Sequence, residues 1–399
     1  MKKRSVLTLG FLNVLTALGL GRFIYSLCVP YLNGVVHLTF TQIGLTGSAL
    51  VLGYLFFSYI GGVSTYHFGE RTVIISSLVI LATSFLMFYR LRTFPLLTVS
   101  AFLMGSAAAS LYVNVFQMVH RHFDVETFGK HIGLILSGAG CGILVLSLFA
   151  SFLLKYETRF DVFSIWIVAA SIALVLIAAN GILQSGGSGR RSVDSATRSI
   201  GYARHWKELF VDRELRNLTI AYCFYGFAYS TYLTYVVAHE AENGGESTAL
   251  MLWALFGASS IVSSIFWGRR ADGDTTGGLL FYNYGFALLG IFLPAIFSST
   301  GMNFASSIIF GLSFFGYLTI FGRIVVRKTG ALSSVYMGKI TLIHAAGQIV
   351  GVSAGGRLRD LTGSFAPVFA LSFAVGVLSL WFYFRYTRVA RRSTRIGTE

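Results

Sequence analysis

The chain has 399 residues, of which 55% are hydrophobic and 12% are charged, whereas roughly 25% are charged in an ordinary soluble domain. A soluble protein of this length needs a more highly charged exterior, so the composition excludes most soluble folds and indicates a protein that lies in a lipid bilayer. The net charge of +15 is spread between apolar blocks and forms no basic stripe with aromatic residues, which argues against a nucleic-acid partner.

Twelve apolar blocks follow one another along the chain, each about as long as the 20 residues that a membrane-spanning helix needs. We therefore expect an all-α membrane protein with twelve transmembrane helices. The blocks run from Val6 to Leu32, Gln42 to Gly62, Val73 to Tyr89, Leu96 to Gln117, Ile132 to Leu154, Phe163 to Leu183, Leu218 to Val237, Thr248 to Trp267, Gly278 to Phe297, Phe304 to Val326, Ile340 to Gly355 and Phe365 to Tyr386.

A polar stretch rich in Gly, Ser and Arg separates the sixth block from the seventh and divides the chain near its middle. It predicts an N-terminal six-helix bundle over 1–183, a cytoplasmic linker over 184–213, a C-terminal six-helix bundle over 214–386 and a basic cytoplasmic tail over 387–399. The three cysteines fall inside apolar blocks without metal-ligand spacing, so we expect no metal site and no cofactor.

The positions of the basic residues predict the orientation of the chain. With the N-terminus inside, 24 of the 31 Lys and Arg residues fall on the inner side and six on the outer side, while Arg22 lies within a block. Loops rich in Lys and Arg are retained in the cytoplasm. We therefore expect a multi-pass protein of the plasma (cytoplasmic) membrane with both termini in the cytoplasm.

The second half of the chain repeats features of the first. Two duplicated bundles related by a pseudo-twofold axis normal to the membrane leave a crevice between them, in which a solute can bind. A shift of 207 residues aligns Gly19 with Gly226, Arg22 with Tyr229, Tyr25 with Tyr232 and Gly140 with Gly347, and a shift of 206 aligns Gly62 with Gly268.

The inner loops after the second and eighth blocks carry related residues. The first loop contains Gly62, Gly69 and Arg71, and its counterpart contains Gly268 and Asp272. These residues resemble the signature that the major facilitator superfamily carries after helices two and eight. Two positions depart from it, because Tyr66 stands where the family has Asp and Glu70 where it usually has Arg.

The run from Gly19 to Pro30 resembles helix one of poorly characterised prokaryotic members of that superfamily. The resemblance implies two pseudo-symmetric six-helix bundles, the fold of this superfamily. It also implies a secondary transporter in which the bundles rock, with the residues of the two inner loops acting in gating.

Arg22 is the one charged residue placed well within a block. An ionisable group there costs about 2.5–3.5 kcal/mol on insertion scales. Arg22 lies about 15 Å from the outer end of its span, which is too far for the side chain to reach the headgroups easily. Pairing with backbone carbonyls is the alternative to a place in the cavity, and we favour the cavity.

Tyrosines recur on the seventh block at Tyr222, Tyr225, Tyr229 and Tyr232, with spacings of three, four and three residues. This spacing places them on one face of a helix. Such a face offers flat rings and hydroxyl groups to an organic anion or a polyol, and core packing is the alternative role. Tyr25, the repeat counterpart of Tyr232, is a further candidate.

Three polar residues of other blocks complete the candidate substrate site. His344 and Gln348 are four residues apart and share a helical face, and Asn114 lies on the fourth block. A buried histidine is more often a structural residue whose hydrogen bonds are satisfied, so His344 has two interpretations.

All 16 acidic residues fall in loops, the linker or helix ends, so we expect no buried carboxylate. Proton-coupled carriers commonly use such a group. The sequence therefore predicts uniport or anion exchange at least as strongly as proton symport. Whether a coupled ion or a counter-substrate takes part is left open by the sequence.

The sequence lacks the motifs of hydrolases and metalloenzymes, so we predict no enzymatic activity. The prediction is a secondary active or facilitative transporter that moves a small solute, an organic anion, by alternating access. One alternative is an efflux carrier for neutral or cationic amphipathic compounds. Another is a membrane receptor or scaffold that transports nothing.

Overall fold

The computed structural model describes residues 3–123, 128–155, 162–183, 206–271 and 278–396. These ranges are helical almost throughout, and the helices are joined by short turns. They are α1 (Lys3–Val14), α2 (Ile24–Gly34), α3 (Phe40–Phe68), α4 (Glu70–Arg90), α5 (Phe94–His122), α6 (Phe128–Lys155), α7 (Ile165–Leu183), α8 (Trp206–Val211), α9 (Arg213–Gly244), α10 (Glu246–Ala271), α11 (Gly278–Ile296), α12 (Thr300–Thr329), α13 (Ser333–Thr362) and α14 (Ala366–Ile396).

Ten passes among the described residues are long and apolar enough to cross a membrane, the segment from α1 to α2 being one of them. The long helices α9 and α13 complete the twelve predicted passes, with 32 and 30 residues. They are less apolar because they carry most of the polar candidates of the predicted site. The protein is thus an all-α, multi-pass membrane protein.

The first pass is not one continuous α-helix. A π-helical turn over Leu15–Leu20 follows α1, and the chain bends at Arg22 before α2 begins. A Cβ at Gly19 would lie 2.7 Å from the carbonyl oxygen of Ala139 on α6, so the backbones approach too closely for any side chain. The extra residue of a π-turn interrupts the regular hydrogen-bond ladder, and such turns occur frequently at functional sites.

The inner loops after the second and eighth passes begin later in the chain than the sequence predicts. Gly62 lies inside α3, and Gly69, with a φ of 83°, is the single residue between α3 and α4. A positive φ suits glycine, which lacks a Cβ. Gly268 likewise lies inside α10, so the expectation that both glycines open loops was wrong. The helices continue because the residues after each glycine still pack against neighbouring helices. Asp272 and residues 184–205 of the predicted linker lie outside the described residues.

The halves, residues 3–183 and 206–396, meet mainly along two pairs of helices, and α2 also packs against α9. The fifth pass, α6, packs against the eighth, α10, and the second pass, α3, packs against the eleventh, α13. In the internal repeat the fifth pass corresponds to the eleventh and the eighth to the second. The two contacting pairs are therefore equivalent, as expected for two bundles related by the repeat. A Cβ at Gly140 of α6 would lie 2.8 Å from the carbonyl oxygen of Gly257 of α10, so small residues bring these backbones together.

The close contact between α6 and α10 predicts different responses to adding one methyl group. A Cβ at Gly257 would lie 2.7 Å from the backbone nitrogen of Leu144, whereas nothing lies within 4 Å of a Cβ at Gly285 on α11. Gly257→Ala is expected to destabilise the protein by about 1–3 kcal/mol through overpacking. Gly285→Ala is expected to be neutral or to stabilise by up to about 1 kcal/mol. Thermal unfolding of both variants in detergent tests this, and equal melting temperatures would contradict the contact.

Candidate functional site

The Arg22 side chain lies between the two halves and is held mainly by the C-terminal one. One guanidinium nitrogen, Nη2, donates hydrogen bonds to the Tyr229 hydroxyl at 2.9 Å and to Gln348 Oε1 at 2.7 Å. The guanidinium carbon lies 4.2 Å from the ring centre of Tyr54 on α3 of its own half. Arg22 therefore bridges the first, second, seventh and eleventh passes. It contacts Tyr229, its own counterpart in the internal repeat.

All of these partners are neutral. Among the described residues no carboxylate lies within 4.0 Å of a guanidinium nitrogen of Arg22. A guanidinium has five N–H donors and stays charged at any physiological pH. The hydroxyl, the amide oxygen and the ring face satisfy part of its hydrogen bonding but leave its positive charge uncompensated.

The tyrosine stripe of α9 packs against a matching aromatic stripe of α12. The two helices run antiparallel, and the contacts between them step by three or four residues along each helix. The rings therefore form one continuous aromatic wall. The ring centres of the paired residues are 3.8 Å apart for Tyr222 and Phe321, 3.6 Å for Tyr225 and Tyr317, 5.5 Å for Tyr229 and Phe314, and 4.5 Å for Tyr232 and Phe310.

His344 belongs to this aromatic wall. Its ring stacks on Tyr222 with centres 3.7 Å apart, and Nδ1 lies 2.7 Å from the Tyr222 carbonyl oxygen. A carbonyl only accepts, so Nδ1 carries the hydrogen and donates it. The imidazole is fixed by a backbone bond and a stack, which supports the structural interpretation of this residue. Its neighbour one turn along, Gln348, is the residue that contacts Arg22.

Tyr225 has a polar group without a partner. Its side chain is 1% exposed, and among the described residues its hydroxyl makes no hydrogen bond. Its ring lies between that of Tyr317 and that of Tyr229, the latter 5.1 Å away, centre to centre. A buried hydroxyl without a partner costs free energy, and a ligand that bonds to it recovers that cost.

Three other predicted site residues make their hydrogen bonds within one half. The Tyr25 hydroxyl donates to the Ile43 carbonyl oxygen at 2.5 Å, and the Tyr232 hydroxyl pairs with Ser306 Oγ at 2.7 Å. Asn114 is bonded to the Thr65 hydroxyl. It also donates to a backbone carbonyl of its own helix at 2.8 Å. The structure does not bring these three side chains into the Arg22 cluster.

The predicted gating residues that the structure describes lie at the end of the bundle that also carries the chain termini. Arg71 donates to the Gly181 carbonyl oxygen at 2.6 Å and so connects α4 with α7. Glu70, which departs from the family signature, forms an ion pair of 2.7 Å with Arg121 on α5. Both contacts stay within the N-terminal half.

Sequence reasoning missed the contribution of α12 and of Tyr54. The α12 aromatic residues are spaced by four, three and four, the same helical pattern that singled out the α9 tyrosines, so that signal was present in the sequence. They are Phe310, Phe314, Tyr317 and Phe321. Tyr54 has no such pattern around it, and only the three-dimensional fold brings it to Arg22.

The expectation of no buried carboxylate was wrong. Glu240 is 0% exposed, and its Oε2 accepts a hydrogen bond of 2.7 Å from the Asn303 amide. The predicted seventh span ended at Val237, but α9 continues to Gly244. This extension carries Glu240 into the interface with α12 and away from solvent.

The two halves are also connected at the end of the bundle away from the termini. Asp360 on α13 accepts hydrogen bonds from the backbone N–H groups of Phe40 and Thr41 at 3.0 and 2.7 Å. The Thr41 hydroxyl donates to the same carboxylate at 2.6 Å. The charge lies at the N-terminus of α3, where the helix dipole stabilises an anion. We call this contact the Asp360 latch.

A disulfide test follows from the next contact along the same pair of helices. The hydroxyl oxygens of Ser48 and Ser353 are 2.8 Å apart. Ser48→Cys combined with Ser353→Cys, with the three native cysteines replaced by Ser, is expected to cross-link readily under mild oxidation. Non-reducing electrophoresis after cleavage between the halves detects the bond. Ser64→Cys with Ser353→Cys is the control, and equal cross-linking of both pairs would contradict the arrangement.

Comparison with known proteins agrees with the architecture. A family model described as "Uncharacterised MFS-type transporter YbfB" matches residues 14–383, from the end of α1 into α14. The chain is also 23% identical over 401 aligned positions to the "Uncharacterized MFS-type transporter YceJ" of Bacillus subtilis (strain 168). That alignment covers 96% of this chain and 97% of its relative.

Proposed function

The chain belongs to this family of MFS-type transporters, and from that premise we propose that it moves a small organic anion across the membrane by alternating access. Arg22 neutralises the charge of the anion, and the aromatic wall of α9 and α12 holds its apolar part. The protein is a multi-pass membrane transporter, and no catalytic step is part of the proposal.

One observation carries the choice of an anion, namely the positive charge of Arg22 between the halves, whose partners among the described residues are all neutral. A charge within a membrane is costly, and such residues line substrate pathways by default. A carboxylate brings the missing negative charge and fits the planar guanidinium through two parallel hydrogen bonds. An anion therefore gains more at this site than a neutral solute of the same shape.

The neutral partners of Arg22 suggest how the site accepts a ligand. Tyr229 and Gln348 hold one guanidinium nitrogen, and a bound carboxylate competes for that nitrogen. The displaced amide and hydroxyl then become groups that bond to the substrate. The unpartnered hydroxyl of Tyr225 offers a further donor. Because Tyr54 belongs to α3 and Gln348 to α13, a substrate bound at Arg22 touches both halves.

Contacts at one end of the bundle support the alternating-access part of the proposal. The Asp360 latch and the contact between Ser48 and Ser353 join the halves at the end away from the termini. The distribution of Lys and Arg favours cytoplasmic termini. In that orientation the joined end faces outward, and we propose that it opens and closes as the halves rock in the plasma membrane.

The proposal predicts a large loss of uptake when the charge of Arg22 is removed. Arg22→Gln keeps some hydrogen bonding but cannot neutralise a carboxylate. Breaking such a charge pair costs roughly 2–5 kcal/mol, so anion uptake into proteoliposomes is expected to fall by at least about 30-fold. Arg357→Gln removes the same charge from an exposed position of α13 and is the matched control. Unchanged uptake by the Arg22 variant would remove this residue from the site.

The same preparation separates the anion from the amphipathic-cation alternative. Benzoate and succinate are expected to raise the melting temperature of the wild type and to have no effect on Arg22→Gln. Tetraphenylphosphonium serves as the amphipathic cation. Stabilisation of both proteins by this cation, without any response to the carboxylates, would favour the efflux alternative and contradict the proposal.

A further inference from the structure

A second polar cluster lies in the C-terminal half, at the end away from the termini. Glu240 on α9 and Asn303 on α12 are both 0% exposed and are joined by the 2.7 Å hydrogen bond from the Asn303 amide to Glu240 Oε2. Thr248 on α10 and Thr300 at the start of α12 lie beside them. The Arg22 site uses none of these residues.

Two buried oxygen atoms of this cluster have no hydrogen-bond partner in the described part of the chain. They are Glu240 Oε1 and Asn303 Oδ1, and neither has a donor among the described residues. Both atoms are acceptors, so they cannot satisfy each other. A buried acceptor without a partner is costly, and an ionised carboxylate without one is more costly still.

The hydroxyl groups nearby add further acceptors. A Cβ placed on Gly244 would lie 2.5 Å from Thr248 Oγ1, 2.6 Å from Thr300 Oγ1 and closer still to Glu240 Oε1, so these three oxygens converge beside the Gly244 backbone. The Thr248 hydroxyl donates its hydrogen to the Gly245 carbonyl oxygen at 2.9 Å, which leaves only its lone pairs for a ligand. Gly244 is exposed, so the cluster lies close to the protein surface.

We propose that Glu240, Asn303, Thr248 and Thr300 bind a monovalent alkali cation, with Na⁺ as the fitting ion. The donor set consists of oxygen atoms only, which hard cations prefer over nitrogen or sulfur. It holds a single carboxylate, so one positive charge neutralises it, whereas a divalent cation would leave a net charge inside the protein. A cation bound by Glu240 Oε1 and Asn303 Oδ1 would leave neither of these buried oxygens without a partner.

The site is mechanically connected to the tyrosine stripe. Asn303 is followed one turn later on α12 by Ser306, which pairs with the Tyr232 hydroxyl at 2.7 Å. Binding of a cation at Glu240 therefore clamps α9, α10 and α12 at their common end. One of the helices fixed in this way, α9, also carries Tyr229, the partner of Arg22.

A binding measurement on purified full-length protein in detergent tests the site without any substrate. NaCl replaces choline chloride at constant ionic strength while thermal unfolding is followed. The melting temperature of the wild type is expected to rise by several degrees with saturable dependence on Na⁺, because the cation binds only the folded state. This readout does not depend on the anion proposal.

Three variants define the ligands. Glu240→Gln is expected to abolish the Na⁺ response. Gly244→Ala leaves all four side chains chemically unchanged, but its methyl group would contact three of their oxygens too closely and push them apart. It is therefore expected to lose the response as well, and it provides a second test if the first variant does not fold. Glu242→Gln removes a carboxylate from the same helix that is 44% exposed and paired with Arg359, and it is expected to retain the full response.

A buried water molecule or a proton on Glu240 would satisfy the same oxygens without Na⁺. In that case the wild type shows no response to NaCl at constant ionic strength, and the proposal is overturned. A response that persists in Gly244→Ala, or one that disappears equally in Glu242→Gln, would assign it to general charge effects and also overturn the proposal.

Discussion

A single charge between two halves of a membrane protein constrains the rest of this structure. Arg22 reaches from a break in the first pass to Tyr229 and Gln348 in the opposite half, and its contacts within the described part of the chain are all neutral. A guanidinium in the membrane needs polar partners, and these partners keep the α9 and α13 faces close to α2 and α3. The break at the π-turn and the close approach of Gly19 to α6 place Arg22 at this point.

The aromatic wall of α9 and α12 gives Arg22 a rigid neighbour. Because α9 and α12 run antiparallel with matched spacing, the four tyrosines of the stripe all contact rings of α12, from Tyr222 and Phe321 to Tyr232 and Phe310. Flat rings bury much area and carry few rotatable bonds, so a wall of this kind changes little when a ligand binds. The same two helices also carry Glu240 and Asn303, which lie past the end of the aromatic wall. The substrate site and the cation site that we propose thus share one structural element.

The twelve passes and the internal repeat follow from the sequence, because bilayer thickness and helical periodicity leave strong patterns. The repeat also aligns Arg22 with Tyr229, but the hydrogen bond between them is known only from the structure. The ends of the helices do not follow from the sequence, since Gly62 and Gly268 look like loop residues but lie inside packed helices. Burial at helix ends is equally hidden, as Glu240 shows. Asn114 and Tyr25 were attractive candidates by residue type, yet their partners within one half are set by packing that periodicity does not encode.

The central claim is that no described residue compensates the charge of Arg22 and that a bound anion does so. Gln348→Glu tests it most directly, because this nearly isosteric change places a carboxylate where Gln348 Oε1 now lies 2.7 Å from Arg22 Nη2. The account predicts a variant with a higher melting temperature than the wild type, since the internal carboxylate supplies the missing charge, and with no further stabilisation by benzoate. A variant that benzoate stabilises as much as the wild type would contradict the account.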